Sequence, residues 1–286
     1  MKKRLTVLLC ALLLTGCAPS KSPTSSETSS ETLLSEVSSE VSSESVSSEE
    51  SFSPSSVSEN GVSYAWSVDT SLRGLAFLTD LDKEIEKSQT RSPCTYDDLK
   101  QVLAKSDLNA DGTGLVPFYH SMDDAVNNYY WSGSSGEGAF NREHVWPNSR
   151  GVGKSGPGSD PQMIRPALVS ENSDRGNHVY GLDQGTYDPA ASGFESARGE
   201  AARIIFYTAC RYYDTHKLYL SNDTSNSDKK HMGQLKYLIR WNREYPVTEM
   251  EKLRNDRLDK MGFARNPFID HPEYADYSFT EEGDCA

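Results

Sequence analysis

Ten residues, Asn141 to Arg150, run N-R-E-H-V-W-P-N-S-R and set an acid, Glu143, beside a base, His144, with Arg142 and Arg150 on either side. A carboxylate can hold a hard cation. A neutral imidazole can take a proton from water near neutral pH. A guanidinium can neutralise a phosphate. Together these are the parts of metal-assisted phosphodiester hydrolysis. A Glu-His pair alone is more often structural, so the weight falls on what surrounds it.

The surroundings form a compact unit of strand, loop, strand and helix. Phe140 to Trp146 has strand character, and Pro147 should end it. Gly151 to Gly158 (G-V-G-K-S-G-P-G) is a loop; its G-x-G-K-S lacks the spacing and the strand-to-helix setting of a phosphate loop. Met163 to Val169 is a second strand, after which Ser170 caps a short helix carrying Asn172. Neighbouring strand residues point to opposite faces, so Glu143 and His144 reach one pocket only if the strand bulges or ends there. Irregular backbone is therefore expected at this point. Glu143 and Asn172 offer two oxygen ligands. So sparse a set suits Mg²⁺, which keeps several waters, with Mn²⁺ or Ca²⁺ as alternatives. Zinc is disfavoured: there is no H-E-x-x-H and no cysteine pair at ligand spacing.

The elements holding this unit are mostly helical. Leu72, Leu75, Leu78, Leu81 and Ile85, then Tyr96, Leu99, Val102 and Leu103, recur at helical spacing and predict two helices. Thr95 with Asp97 and Asp98 marks the start of the second. Asp107 to Gly112 imitates half a calcium loop, but Phe118 stands where the closing glutamate belongs, so a plain turn is expected. Leu115 to His120 has the look of a short strand. Glu200 to Tyr213 and Met232 to Tyr245 are helical, and Thr248 with Glu251 forms a capping box for a third helix ending near Met261. The fold class is α+β, a mostly helical domain around a small sheet. His120, His178, His216, His231 and His271 are expected to serve packing or surface.

The first 60 residues are different. Lys2, Lys3 and Arg4 precede an apolar run from Leu5 to Leu14, the layout of a secretory leader over residues 1–17. Its ending, Leu14-Thr15-Gly16-Cys17, resembles a bacterial lipobox and implies a lipid on Cys17, anchoring the chain to the outer face of the cell membrane. Residues 18–60 hold 19 Ser, 8 Glu and one Lys, a composition that buries no core and marks a self-repelling spacer. The folded domain is left to residues 61–286. The whole chain carries a formal charge of −13, which excludes a broad basic surface for gripping nucleic acid but not a small basic site on an acidic body. Cys94, Cys210 and Cys285 remain after the leader; three cysteines cannot all pair within one chain.

The pieces R-E-H-V-W-P (142–147), D-P-Q-M-I-R-P (160–166), N-S-D-R-G-N (172–177), R-G-E-A-A-R-I-I-F-Y (198–207) and R-N-P-F-I-D-H-P-E (265–273) fall in one order. In that order they resemble the endonuclease I family of secreted bacterial nucleases, over roughly Thr95 to Ala275. The resemblance implies an embedded ββα-metal (His-Me finger) motif. It implies that His144 is the general base, that Glu143 and Asn172 hold one divalent ion, and that the substrate is DNA, RNA or both, cut without sequence specificity to 5′-phosphate ends. It offers Arg150 as the arginine on the phosphate, with Arg142, Arg175 and Asn177 as further contacts or loop supports. Gln162 stands where family members often carry a histidine, at a position expected just behind the metal ligands. No protein partner is implied. Two other classes compete: a non-catalytic surface lipoprotein that binds nucleic acid or a host protein, and a phosphodiesterase acting on small molecules.

Overall fold

In a computed structural model of the protein, residues 64–225 and 229–281 are described. The expected leader and spacer, with Cys10 and Cys17, and Cys285 at the other end, lie outside the described residues. In chain order the elements are α1 (Gly74–Ser88), α2 (Leu99–Ser106), β1 (Tyr130–Trp131), β2 (Ala139–His144), β3 (Ile164–Leu168), α3 (Val169–Arg175), α4 (Ala197–His216), β4 (Tyr219–Leu220), β5 (His231–Met232), α5 (Leu235–Glu244), α6 (Glu249–Lys260), α7 (Pro267–Asp270) and α8 (Tyr274–Ser278). The class is α+β, as expected. Among the described residues no helix is long and apolar enough to cross a membrane.

The core is built around α4. Nearly every residue from Ala197 to Cys210 is buried, on all sides of the helix rather than along one stripe. Neighbours explain this: α1, α5 and α7 all pack on it. Polar residues so deep must be paired. Arg203 donates through Nε and Nη2 to the two oxygens of Glu251, at 2.6 and 2.8 Å. Glu251 in turn accepts from the Thr248 amide at 2.9 Å and completes the expected capping box at the start of α6.

β2 and β3 pair antiparallel, from Phe140 opposite Leu168 to His144 opposite Ile164, without a skipped residue. β1 runs parallel to β2 but covers only Ala139 and Phe140. α3 follows β3 directly, so the strand, loop, strand and helix unit stands as expected. Its helix begins two residues early, at Val169, so the N-cap is Leu168 rather than Ser170 and makes no side-chain cap.

Other differences have local causes. Leu75 is 40% exposed, and Phe77 takes the core position instead. Leu115 to His120 makes single bridges rather than a strand. Pro117 lacks an amide to donate, and the Phe118 amide turns to Pro166 O at 2.7 Å. The half calcium loop is a turn, held by Asn109 Oδ1 accepting from the amides of Thr113 (2.9 Å) and Gly114 (3.1 Å). Asp107 faces inward and accepts from Nε of Arg165 (2.7 Å) and of Arg254 (2.9 Å). The helices α7 and α8 and the pairing of β4 with β5 were not expected. Met232, expected to open a helix, lies in β5 and pairs with Leu220 instead, so that α5 begins at Leu235. Asn266 caps α7 from the R-N-P-F-I-D stretch, its Oδ1 accepting from the Phe268 amide at 3.0 Å. Cys94 and Cys210 are both buried.

Candidate active site

Of the two irregularities expected at Glu143 and His144, the bulge is absent and the ending is present. β2 holds its register through His144 and stops there, two residues short of the expected Trp146, before a bend at Val145 and Trp146. Alternation therefore separates the two side chains, and their partners differ. Glu143, 1% exposed, accepts on Oε1 from Arg175 Nη1 (2.8 Å), Tyr119 Oη (3.0 Å) and Tyr180 Oη (3.5 Å). His144 stacks on Tyr96, with ring centroids 5.6 Å apart.

The edge of β2 brings the two faces back together. Phe140 O accepts from the Ser132 amide at 2.8 Å. Beyond that bond β1 is finished, and the next carbonyls on this edge need other donors. Two side chains of α3 supply them. Asn172 Nδ2 reaches Arg142 O at 3.5 Å and Asn141 Oδ1 at 2.5 Å. Arg175 Nη1 reaches His144 O at 2.7 Å, and its Nη2 reaches Val145 O at 2.6 Å. Spaced three apart, the two residues share one face of the helix. The helix thus lies along the strand edge, which sets Asn172 and Glu143 in one neighbourhood. Where β1 stops, a cavity of about 340 Å³ opens, and the consecutive residues Phe140, Asn141 and Arg142 all line it.

Electrostatics divide the roles. Loss of solvent draws the His144 imidazole down to about 4, and the nearby charges of Arg175, Arg142 and Lys154 push the same way; the Gly158 backbone opposes them. The ring is therefore neutral at pH 7, and its Nε2 is buried with no hydrogen-bond partner. Burial pushes the Glu143 carboxyl up; the Arg175 charge and the two tyrosine hydroxyls pull it back without cancelling the shift.

The arginines fall into two groups. Arg142 lies over the Tyr96 ring at 3.6 Å and donates one Nη1–H to Tyr96 O at 2.5 Å. Its Nε and Nη2 make no hydrogen bond among the described residues, so they can meet a phosphate. Arg150 is 3% exposed and donates to Asn177 O (3.1 Å) and His231 O (3.4 Å), bracing the turn after α3 and strand β5. Arg175 is 1% exposed and committed to Glu143 and the end of β2. Gln162, expected beside the metal ligands, instead donates to Asn255 Oδ1 (2.9 Å) and Ala264 O (2.8 Å) and ties the entry of β3 to α6.

A divalent cation fits this donor set. All recorded hydrogen bonds to Glu143 fall on Oε1, and those of Asn172 use Nδ2. Glu143 Oε2 and Asn172 Oδ1 are thus without hydrogen-bond partners among the described residues. One carboxylate and one carboxamide oxygen suit an ion that retains water. Among the described residues no group of three or more His, Cys, Asp or Glu side chains gathers as a fuller cage.

Sequence reasoning missed Tyr96, Tyr119, Asn141, Lys154 and Tyr180. Lys154 carried a signal, a cation in the glycine loop just after the motif. The tyrosines carried none, because their places follow from tertiary packing. The loop's glycines have a steric purpose: a Cβ on Gly158 would lie 1.9 Å from Gly153 O.

Comparison with known proteins adds two findings. A family model described as Endonuclease I matches residues 74–273. Two proteins, each described as an extracellular ribonuclease, from Bacillus amyloliquefaciens and Bacillus subtilis (strain 168), are 38% identical over 154 residues. That alignment takes in 49% of this chain and 53% and 54% of the two relatives. The chain spans about half the length of the curated relatives it matches.

Proposed function

The chain belongs to the endonuclease I family, and from that premise we propose that it is a metal-dependent, non-specific nuclease that hydrolyses phosphodiesters of DNA, RNA or both to 5′-phosphate ends. One observation carries the reading: a buried, neutral imidazole whose Nε2 has no partner, beside Arg142 and Lys154. Such a ring is poised to accept a proton.

His144 Nε2 takes a proton from the attacking water. The water oxygen bonds to phosphorus, the bond to the 3′ oxygen breaks, and that oxygen takes a proton from a solvent water, leaving a 5′-phosphate and a 3′-hydroxyl. Arg142 directs its uncommitted N–H groups at the phosphate oxygens. Asn172 and Glu143 would hold a Mg²⁺ ion, with Mn²⁺ or Ca²⁺ as substitutes. When bound, the cation supplies positive charge to a phosphate oxygen and to the leaving 3′ oxygen. Arg175 holds the Glu143 carboxylate and the His144 backbone in place. Contacts to backbone rather than bases give little sequence preference.

The test uses the full chain on plasmid DNA and on RNA, with Mg²⁺, with a chelator, and as His144→Ala. Cutting should require metal and fall about 10²- to 10⁴-fold in the variant. Undiminished cutting by His144→Ala overturns the assignment of the base.

A lipid on Cys17 would hold the enzyme at the outer face of the membrane. The Leu14-Thr15-Gly16-Cys17 ending supports that placement. Cys17→Ala should move the protein from the membrane fraction to the medium; continued membrane retention would remove the anchor.

A further inference from the structure

The cavity where β1 stops is more than a gap beside the strand. Its wall combines two aromatic rings (Trp131 and Tyr96), an amide (Asn141), a hydroxyl (Ser132) and two cations (Lys100 and Arg142). At about 340 Å³ it lies within the size range of small-ligand pockets. We propose that it is a subsite for one unpaired nucleobase next to the phosphate being cut, so that the enzyme favours single-stranded over duplex nucleic acid. This rests on the nuclease reading and deepens it.

Three observations carry the inference. First, Trp131 is only partly buried, and its neighbours Tyr129 and Phe140 meet it at 84° and 72°. No aromatic ring among the described residues stacks flat on it. Base–aromatic stacking is sequence-tolerant, because every base has a π-face. Second, the polar groups are arranged by distance from the reaction. Asn141 touches both the cavity and Asn172, so an occupant of the cavity lies next to the expected cation. Arg142 lines the cavity and stands over the same Tyr96 ring that His144 stacks on. Third, the charge is complementary and local. Arg142 and Lys154 lie over the Tyr96 ring, and Lys100 lines the same cavity, on a chain whose formal charge is −13. A strand bearing phosphates on either side of one buried base would find counter-charges here.

A base inside a duplex cannot enter without unpairing and unstacking, which the duplex opposes. The cavity therefore discriminates by strandedness rather than by sequence.

The experiment measures binding, not cutting. Anisotropy of a labelled oligothymidylate and of a labelled duplex of equal length is followed in chelator at low salt. The full chain is compared with Trp131→Ala, Trp131→Phe and Lys100→Ala. Trp131→Ala should weaken single-strand binding about ten-fold and leave duplex binding within about two-fold. Trp131→Phe should keep most of the affinity. Lys100 is exposed and its replacement does not threaten the fold; Lys100→Ala should reduce the salt slope for the single strand by about 0.7. If Trp131→Ala does not fold, Ser132→Phe, which fills the cavity, must abolish the single-strand preference. Equal losses on both substrates, or no loss on either, overturn the subsite. A separate cutting assay with Mg²⁺ keeps the two readings apart. Strand-selective binding by a protein that cuts nothing in Mg²⁺ would keep the subsite and remove the nuclease reading; cutting in Mg²⁺ with Trp131→Ala indistinguishable from wild type in binding would do the reverse.

Discussion

Arg175 Nη1 stands 2.8 Å from Glu143 Oε1 and 2.7 Å from the carbonyl oxygen of its neighbour His144. One guanidinium thus holds the acid by its side chain and the base by its backbone. It also closes the edge that β1 leaves uncovered.

Arg175→Ala should cost about 3–5 kcal/mol of stability, because it leaves a buried carboxylate without its counter-charge. It also strips the donors from His144 O and Val145 O. Urea unfolding of the variant and the parent checks this; a loss under about 1 kcal/mol would show that Glu143 does not depend on the pair.

Asn172→Ala removes one proposed cation ligand and two modest hydrogen bonds at the β2 edge. The stability loss should be about 1 kcal/mol. The Mg²⁺ concentration needed for half-maximal cutting should rise about ten-fold or more, with activity returning at high metal. An unchanged metal titration curve would remove Asn172 from the site.

Gly158→Ala pushes a methyl group into Gly153 O, 1.9 Å from the ideal Cβ position. The atom it meets is backbone, so the loop must shift, at about 1–3 kcal/mol. Because the Gly158 backbone bears on His144, activity should fall further than stability explains. Wild-type kcat at a temperature well below the variant's Tm would contradict this.

Asp160 predicts a pH dependence of stability. Loss of solvent raises its carboxyl above the ordinary value of 3.8, although Tyr207, Tyr212 and the Gln162 amide donate to it. A raised acid holds its proton more tightly in the folded state. The stability it contributes is fully present below 3.8 and is lost as pH rises through the folded value. Asp160→Asn has no such loss, so its Tm relative to the parent should improve as pH rises from about 4 toward neutrality. Calorimetry at several pH values decides, and a Tm difference independent of pH would dismiss the effect.

What was legible in the chain was local. The period of Leu78, Leu81 and Ile85 marks α1, Thr248 with Glu251 marks the start of α6, and the order of strand, loop, strand and helix survives intact. Each signal sits within one or two turns of itself, so neighbouring residues suffice to produce it. The acid, the base and the amide were legible too, because side-chain chemistry does not depend on the fold.

What only the tertiary structure decided is how those groups are held. Alternation along β2 sends Glu143 and His144 to different faces, and no property of N-R-E-H says that α3 will lie along the strand edge to gather them again. The charge that steadies Glu143 comes from Arg175, 32 residues on, and the ring beneath His144 comes from Tyr96, on another segment. Burial gives these contacts their strength, by removing water from a carboxylate and an imidazole at once. Burial is a property of the packed whole, so sequence alone determined which groups were available, and folding determined which of them are charged, paired or left open.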